Sequence, residues 1–283
     1  MQTLSQIRAL LEMRGIKPKH RYGQNFLHDH NQLRRLLAAA AVRRGQSVLE
    51  VGPGTGTLTS ALLEAGARVV ACEIDADMIE ILRAEFAADL QAGNLRIVEG
   101  DCLEGKRRLN PEADGLLRAA GQFKLVANLP YHAATPLLLT LLTQYRPTGD
   151  ETGCAGMFVT IQKEVAQRLS AGAGDEEYGP LSVVAQVLAE VEVIAELPGS
   201  CFWPSPEVVS AMAAVRPRKV LAIAEPEIGA FSQLVQRGFA QRRKQLRKAL
   251  GAEVIAKAGL AETVRAEEIP PEGWVGFFHA AKA

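Results

Sequence analysis

The sequence is sparing with the residues that would point to an extracellular or metal-built protein. Only four cysteines occur in 283 residues. Cys72, Cys102, Cys154 and Cys201 are scattered, with no C-x-x-C pair. That spacing offers neither a zinc site nor a disulfide framework and reads as reduced cytosolic thiols. Long apolar runs are missing too: none reaches the ~18–20 residues that cross a bilayer. The opening stretch, MQTLSQIRALLEMRGIKPKH, has no apolar run followed by a small-residue cleavage site, so no secretory signal is expected. Internal repeats and low-complexity tracts are absent. Together these absences lead us to expect a cytoplasmic protein with no membrane partner.

Net charge is also absent, since Lys and Arg balance Asp and Glu. Taken alone, that argues against a nucleic-acid partner, but the distribution argues the other way. Residues 1–44 hold nine Lys/Arg against Glu12 and Asp29, and residues 216–251 hold nine against Glu225 and Glu227. Two basic segments on a neutral chain form either a local footprint for phosphate or a solvated surface balanced by nearby acids. Charge by itself leaves both readings open.

What is present is a large apolar share, 48% of residues, enough for the core of one large domain or a large one plus a small one. Amphipathic helices are expected over 4–14 and 31–44. Apolar runs at 47–51, 67–73, 95–100, 123–128 and 157–162 read as strands, with helical spacing over 58–64 and 77–90 and a helix opening at 136–142. Gly105–Gly121 and Arg146–Gly156 read as loops or insertions. Strands alternating with helices predict a parallel, doubly wound α/β sheet. After Val215 only helical patterns remain, near 227–250, 252–260 and 271–281. The expected division is residues 1–215 and a small all-helical domain over 216–283.

Glu50-Val51-Gly52-Pro53-Gly54-Thr55-Gly56 follows a strand and precedes a helix. Glycines there let the backbone approach a ligand: a dinucleotide, a nucleotide or S-adenosylmethionine, unless the turn is merely tight. The E-x-G-x-G-x-G order, the stiffening Pro53 and the lack of a following lysine point away from a dinucleotide and from a P-loop. Glu73 ends the second strand ~20 residues on, where an acid accepts from ribose hydroxyls. Asp101 suits an adenine amino group or a helix N-cap.

Asn128-Leu129-Pro130-Tyr131 ends the fourth strand and carries the strongest chemical signal. The exocyclic amine of adenine is a poor nucleophile because its lone pair is delocalised. The Asn128 oxygen and the Leu129 carbonyl offer two acceptors that would hold its hydrogens and aim the lone pair. Pro130 adds no competing donor. Tyr131 offers an aromatic face for an extruded base, worth ~1–3 kcal/mol. His132 reads as a polar pocket residue in preference to a catalytic base.

In order, Tyr22-Gly-Gln-Asn-Phe-Leu27, Glu50-Val-Gly-Pro-Gly54, Glu73-Ile-Asp75, Gly100-Asp101, Asn128-Leu-Pro-Tyr131, Gln162-Lys-Glu-Val-Ala166, Tyr178-Gly-Pro-Leu-Ser182, Phe202-Trp-Pro-Ser-Pro206 and Gln241-Arg-Arg-Lys-Gln-Leu-Arg247 make the chain resemble the KsgA/RsmA-type dimethyladenosine transferases of small-subunit (16S) rRNA. The resemblance runs from about Lys19 to Leu250. It implies a Rossmann-like S-adenosylmethionine-dependent methyltransferase domain with a small helical C-terminal domain. The implied substrate is 16S rRNA in an immature small ribosomal subunit, and a monomer is expected. The implied reaction is double methylation of N6 on two adjacent adenosines in a 3′-terminal hairpin.

The resemblance also implies roles. Asn25 and Leu27 would cover the cofactor, and Gly52 and Gly54 would cradle it. Glu73 would hold the ribose, Asp101 the adenine, and Asn128 both the cofactor edge and the target amine. Phe202 would be the second aromatic wall beside Tyr131. Arg242, Arg243, Lys244, Arg247 and Lys248 would meet RNA phosphates from one helix, on which Arg237, Gln241, Lys244 and Lys248 share a face. Glu207-Val-Val-Ser210 and the acidic loop 174–177 depart from the more basic family pattern and reduce positive charge near the expected RNA face. The alternatives are an Erm-type 23S rRNA adenine N6-methyltransferase and a non-catalytic ribosome-assembly factor on the same fold.

Overall fold

A computed structural model describes residues 1–105, 108–147, 152–242 and 244–282. Seven strands form the central sheet: β1 Ser47–Val51, β2 Arg68–Glu73, β3 Leu95–Glu99, β4 Gln122–Asn128, β5 Gly153–Gln162, β6 Ala189–Leu197 and β7 Ser210–Pro217. Their spatial order is β3-β2-β1-β4-β5-β7-β6. The first five run parallel, and β7 lies antiparallel between β5 and β6. Because β1 pairs with both β2 and β4, the chain reverses its direction of travel across the sheet there. Such a switch point opens a crevice beyond the strands' carboxyl ends. The Gly-rich turn follows β1 and Asn128 ends β4, so both fall at its mouth.

Thirteen helices are described: α1 Leu4–Met13, α2 His30–Ala40, α3 Thr57–Glu64, α4 Ala76–Glu85, α5 Ala87–Ala92, α6 Pro111–Ala120, α7 Ala134–Gln144, α8 Lys163–Ser170, α9 Pro180–Leu188, α10 Ile228–Phe239, α11 Arg247–Leu250, α12 Ala252–Lys257 and α13 Pro271–Lys282. One sheet face packs on α2 and α3 through Leu33, Leu36, Leu58 and Leu62. The other face packs on α6 to α9, and the same apolar cluster continues into α10 and α13 through Phe231, Phe239, Trp274 and Phe277. The α9 sequence, PLSVVAQVL, is apolar on nearly every side because helices surround it. The Tyr178-Gly-Pro-Leu block is a joint between these parts. Tyr178 is buried, donates its hydroxyl to the Ile269 carbonyl at 2.7 Å and meets the Phe239 ring edge-on.

The parallel strands stand where the apolar runs placed them, and four elements correct the sequence expectation. Strands β6 and β7 extend the sheet with antiparallel pairing that the βα alternation does not announce. The stretch expected as a loop at 105–121 contains α6, capped by the Asn110 side chain and opened by Pro111. The helix expected over 227–250 stops at Phe239, because Leu246 N–H turns to the Val264 carbonyl and Gln245 bridges to Arg265. The expected shared face of Arg237, Gln241, Lys244 and Lys248 therefore does not form.

Candidate active site

The crevice is a cavity of about 940 Å³ counting its open mouth. Asn25, Leu27, Gly52, Gly54, Glu73, Asp101, Asn128 and Pro130 all line it. The glycine turn forms its floor. Gly52 and Gly54 have φ of 71° and 58°, in the left-handed region that side chains resist. A Cβ on Gly52 would stand 3.0 Å from the Pro130 ring, and one on Gly54 would stand 2.8 Å from the Phe26 ring. The glycine loop, the Asn128–Tyr131 turn and the N-terminal segment are thus in mutual contact, with no room for extra atoms between them.

Glu73 holds this floor to β2. One carboxylate oxygen accepts from the Ile74 and Asp75 N–H groups, both at 2.9 Å, and the other accepts from Gly54 N–H at 3.1 Å. Burial raises its pKa, and these backbone donors oppose the rise. Asp101 accepts from Leu103 N–H through one oxygen and is otherwise exposed.

The segment 19–27 closes over the pocket and is latched at its outer end. Lys19 pairs with Asp75 and Asp77, each at 2.5 Å, and Gln24 donates to Asp75 at 2.7 Å. Asp75 and Gln24 stand inside sequence motifs, but nothing in their spacing announces this latch. Glu50 is likewise a motif residue whose role only the fold reveals. It lies fully buried on the pocket wall, accepts from the Thr59 hydroxyl at 2.8 Å, and burial pushes its pKa up to about 8.

That shift has a measurable sign. The folded protein keeps a proton on Glu50 between pH 4.5 and 8, whereas the unfolded chain releases it in the ordinary carboxylate range. Stability therefore falls as pH rises through this window, by up to ~1.4 kcal/mol per pH unit. Glu50→Gln removes the titration. Urea melts of the ligand-free protein should show the variant gaining on wild type by ~2–4 kcal/mol between roughly pH 5 and pH 8. Parallel pH profiles would refute the buried proton.

At the mouth, Asn128 donates its amide nitrogen to the Asn25 carbonyl at 2.9 Å. Its oxygen and the Leu129 carbonyl accept no hydrogen bond from the described residues. Leu129 itself is buried, with its N–H on the Thr160 carbonyl at 3.0 Å. Tyr131 is half-buried outside the pocket lining, and its hydroxyl is 2.9 Å from that of Ser210. His132 lines the pocket rim and is exposed. Phe202 is 4% exposed; it packs with Leu27, Leu33 and Leu197, and its backbone pairs with Leu27. Its neighbour Trp203 is the more open ring, lying against Phe26 with the Arg8 guanidinium over it.

The basic residues expected at RNA divide into two groups. Arg242 donates to Glu267 and to the Asp175 and Glu176 carbonyls, so the acidic loop 174–177 and this arginine engage each other. Arg247 pairs with Glu262 at 2.6 Å. Lys244 and Lys248 are exposed and make no ion pair among the described residues. Arg243 lies outside the described residues. In the N-terminal segment, Lys17, His20 and Arg21 are exposed in or just before the stretch 19–27, while Arg43 and Arg44 lie in the loop leading into β1, at the end of the strands away from the crevice.

Comparison with known proteins finds relatives along nearly the whole chain. The family described as "Ribosomal RNA adenine dimethylase" matches residues 15–282. The Ribosomal RNA small subunit methyltransferase A of Phenylobacterium zucineum is 40% identical over 285 residues, covering 99% of this chain and 94% of that protein. That of Caulobacter vibrioides is 40% identical over 264 residues, covering 92% and 95%. Among solved structures, a dimethyladenosine transferase from Plasmodium falciparum superposes with a TM-score of 0.67 at 22% identity, covering 89% of this chain and 95% of that one. The 23S rRNA methyltransferase ErmE superposes with a TM-score of 0.64 at 22% identity, covering 92% and 100%. At such identities the two structures share the fold and do not choose between substrates.

Proposed function

Because the chain belongs to the ribosomal RNA adenine dimethylase family, we propose that it transfers methyl groups from S-adenosylmethionine to N6 of two adjacent adenosines in the 3′-terminal hairpin of 16S rRNA. The product is a pair of N6,N6-dimethyladenosines. The observation that carries this reading is the Asn128 carboxamide at the mouth of the pocket, whose nitrogen is committed to Asn25 while its oxygen is left to accept.

The pocket's residues fit the cofactor. A side chain at Gly52 or Gly54 would crowd the cradle, and buried Glu73 and exposed Asp101 supply acceptors for ribose hydroxyls and an adenine amine. Asn25 and Leu27 cover the site under the Lys19–Asp75 latch. When bound, S-adenosylmethionine supplies a methyl group on positively charged sulfur, so no charged general base is needed. The Asn128 oxygen and the Leu129 carbonyl each take one N6 hydrogen, which localises the lone pair and fixes its direction. Tyr131 stacks on the extruded base, and Pro130 keeps the turn from offering a competing donor. Buried Phe202 backs Leu27 and would need to turn outward to form a second wall.

Residues 216–283 serve as the RNA-binding unit, with Lys244 and Lys248 among the exposed cations that make no ion pair within the described residues and Arg242 as an internal tether. Reversing both lysines to glutamate should weaken binding to small subunits and lower the salt-dependence slope by ~0.7–0.9 for each phosphate no longer neutralised. An unchanged slope would remove them from the interface. The enzyme acts as a monomer in the cytoplasm on an immature small subunit. Among the described residues no helix is long and apolar enough to cross a membrane. The decisive experiment incubates the protein with labelled S-adenosylmethionine and undermethylated small subunits, then maps the modified adenines. Label on two neighbouring adenines of the 16S hairpin is expected; label on 23S rRNA, or none, overturns the reading.

A further inference from the structure

We infer that Ser210 is a positioning residue for the target base, acting through the Tyr131 hydroxyl. This rests on the reading that Tyr131 faces the base. Tyr131 sits on the turn after β4, which the Ala133 N–H closes onto the Pro130 carbonyl at 2.9 Å. Its far end reaches across β5: Asn128 pairs with Thr160 of β5, and Gln162 of β5 pairs with Ser210 at the start of β7. The two hydroxyls meet there at 2.9 Å. Ser210 is a rigid partner. It has 0% exposure and is held in register on both sides, by Gln162 and by Leu197.

A phenol fixed at both ends loses its freedom to swing about χ1, so the ring plane is set before a base arrives. Desolvation accounts for why the bond is worth making: burial raises the Tyr131 pKa, and a buried hydroxyl without a partner is costly. The antiparallel strand β7, which the sequence pattern does not announce, therefore contributes to the base site through its first residue.

The test is a double-mutant cycle on kcat with small subunits as substrate. Ser210→Ala and Tyr131→Phe should each lower kcat about tenfold and leave cofactor affinity unchanged. The double variant should be no slower than the slower single variant, because both remove one bond. A multiplicative loss of about a hundredfold, or a Ser210→Ala enzyme at wild-type rate, overturns the inference. Tyr131→Ala separates this from the underlying reading. If removing the ring leaves turnover intact, Tyr131 is not a base platform and the reading fails. If removing the ring abolishes turnover while the cycle is multiplicative, only the Ser210 assignment falls.

Discussion

Asn128→Ala is expected to slow methyl transfer about a thousandfold or more while changing cofactor affinity only a few-fold. The two effects separate because the carboxamide has two ends with different partners. Its nitrogen binds the Asn25 carbonyl, a single neutral hydrogen bond worth ~0.5–1.5 kcal/mol. Losing it loosens one strap over the pocket and costs the cofactor little. On the proposed function, the oxygen end acts chiefly on the target adenine. Without it, the N6 lone pair stays delocalised and one amine hydrogen is unheld, leaving the Leu129 carbonyl as sole acceptor. Removing one preorganised group that acts on the reacting atoms typically costs about 10²–10³ in rate. Here the loss of near-attack orientation adds to that. Single-turnover methylation of the hairpin and calorimetric titration of the cofactor measure the two quantities separately. A variant that turns over at the wild-type rate would show that this amide does not hold the target amine.

The parts of the site that can be read from sequence are those built by contiguous residues. Gly52 and Gly54 announce a turn whose backbone can be approached closely, and Asn128-Leu129-Pro130 places two acceptors and a missing donor side by side. These properties survive any tertiary context. The βα alternation likewise marks five parallel strands, because a strand buried on both faces reads as an apolar run. What escapes depends on distant partners. Arg242 looks like a free cation in sequence; only the fold brings Glu267 and the 175–176 carbonyls to it. The break after Phe239 arises because Gln245 and Leu246 pair with 264–265 instead of continuing a helix that their own propensities allow. Strand β6 follows the mostly apolar α9 with no turn residue between them, so neither period stands out. Helix α6 is different, because its signal is local: Asn110-Pro111-Glu112, with Asp114, is a helix start with cap, N1 proline and acidic first turn.

Glu73→Ala should weaken cofactor binding about a hundredfold or more, by losing both a direct bond to the ribose and the shape of the floor. A carboxylate has about four acceptor sites, and Gly54, Ile74 and Asp75 N–H groups occupy three of them. That leaves room for one strong bond from a ribose hydroxyl, with the second hydroxyl sharing. A hydrogen bond to a charged group is worth ~1.5–3 kcal/mol, or roughly 10- to 150-fold. The alanine variant also leaves buried backbone donors without an acceptor and frees the Gly54 loop from β2, which carries the effect past the direct bond alone. Glu73→Gln should fall between the two: its oxygen can keep Ile74 and Asp75, but its amide nitrogen would face the Gly54 N–H, donor against donor. The wild-type pH dependence gives an independent check. Burial raises the Glu73 pKa, and protonation turns one acceptor into a donor. Affinity should therefore fall on acidification beginning above the usual carboxylate range, and this pH dependence should vanish in the alanine variant. Equal cofactor affinity in wild type and Glu73→Ala, with both proteins folded by their melting curves, would mean that Glu73 only braces the turn and that the ribose is held elsewhere.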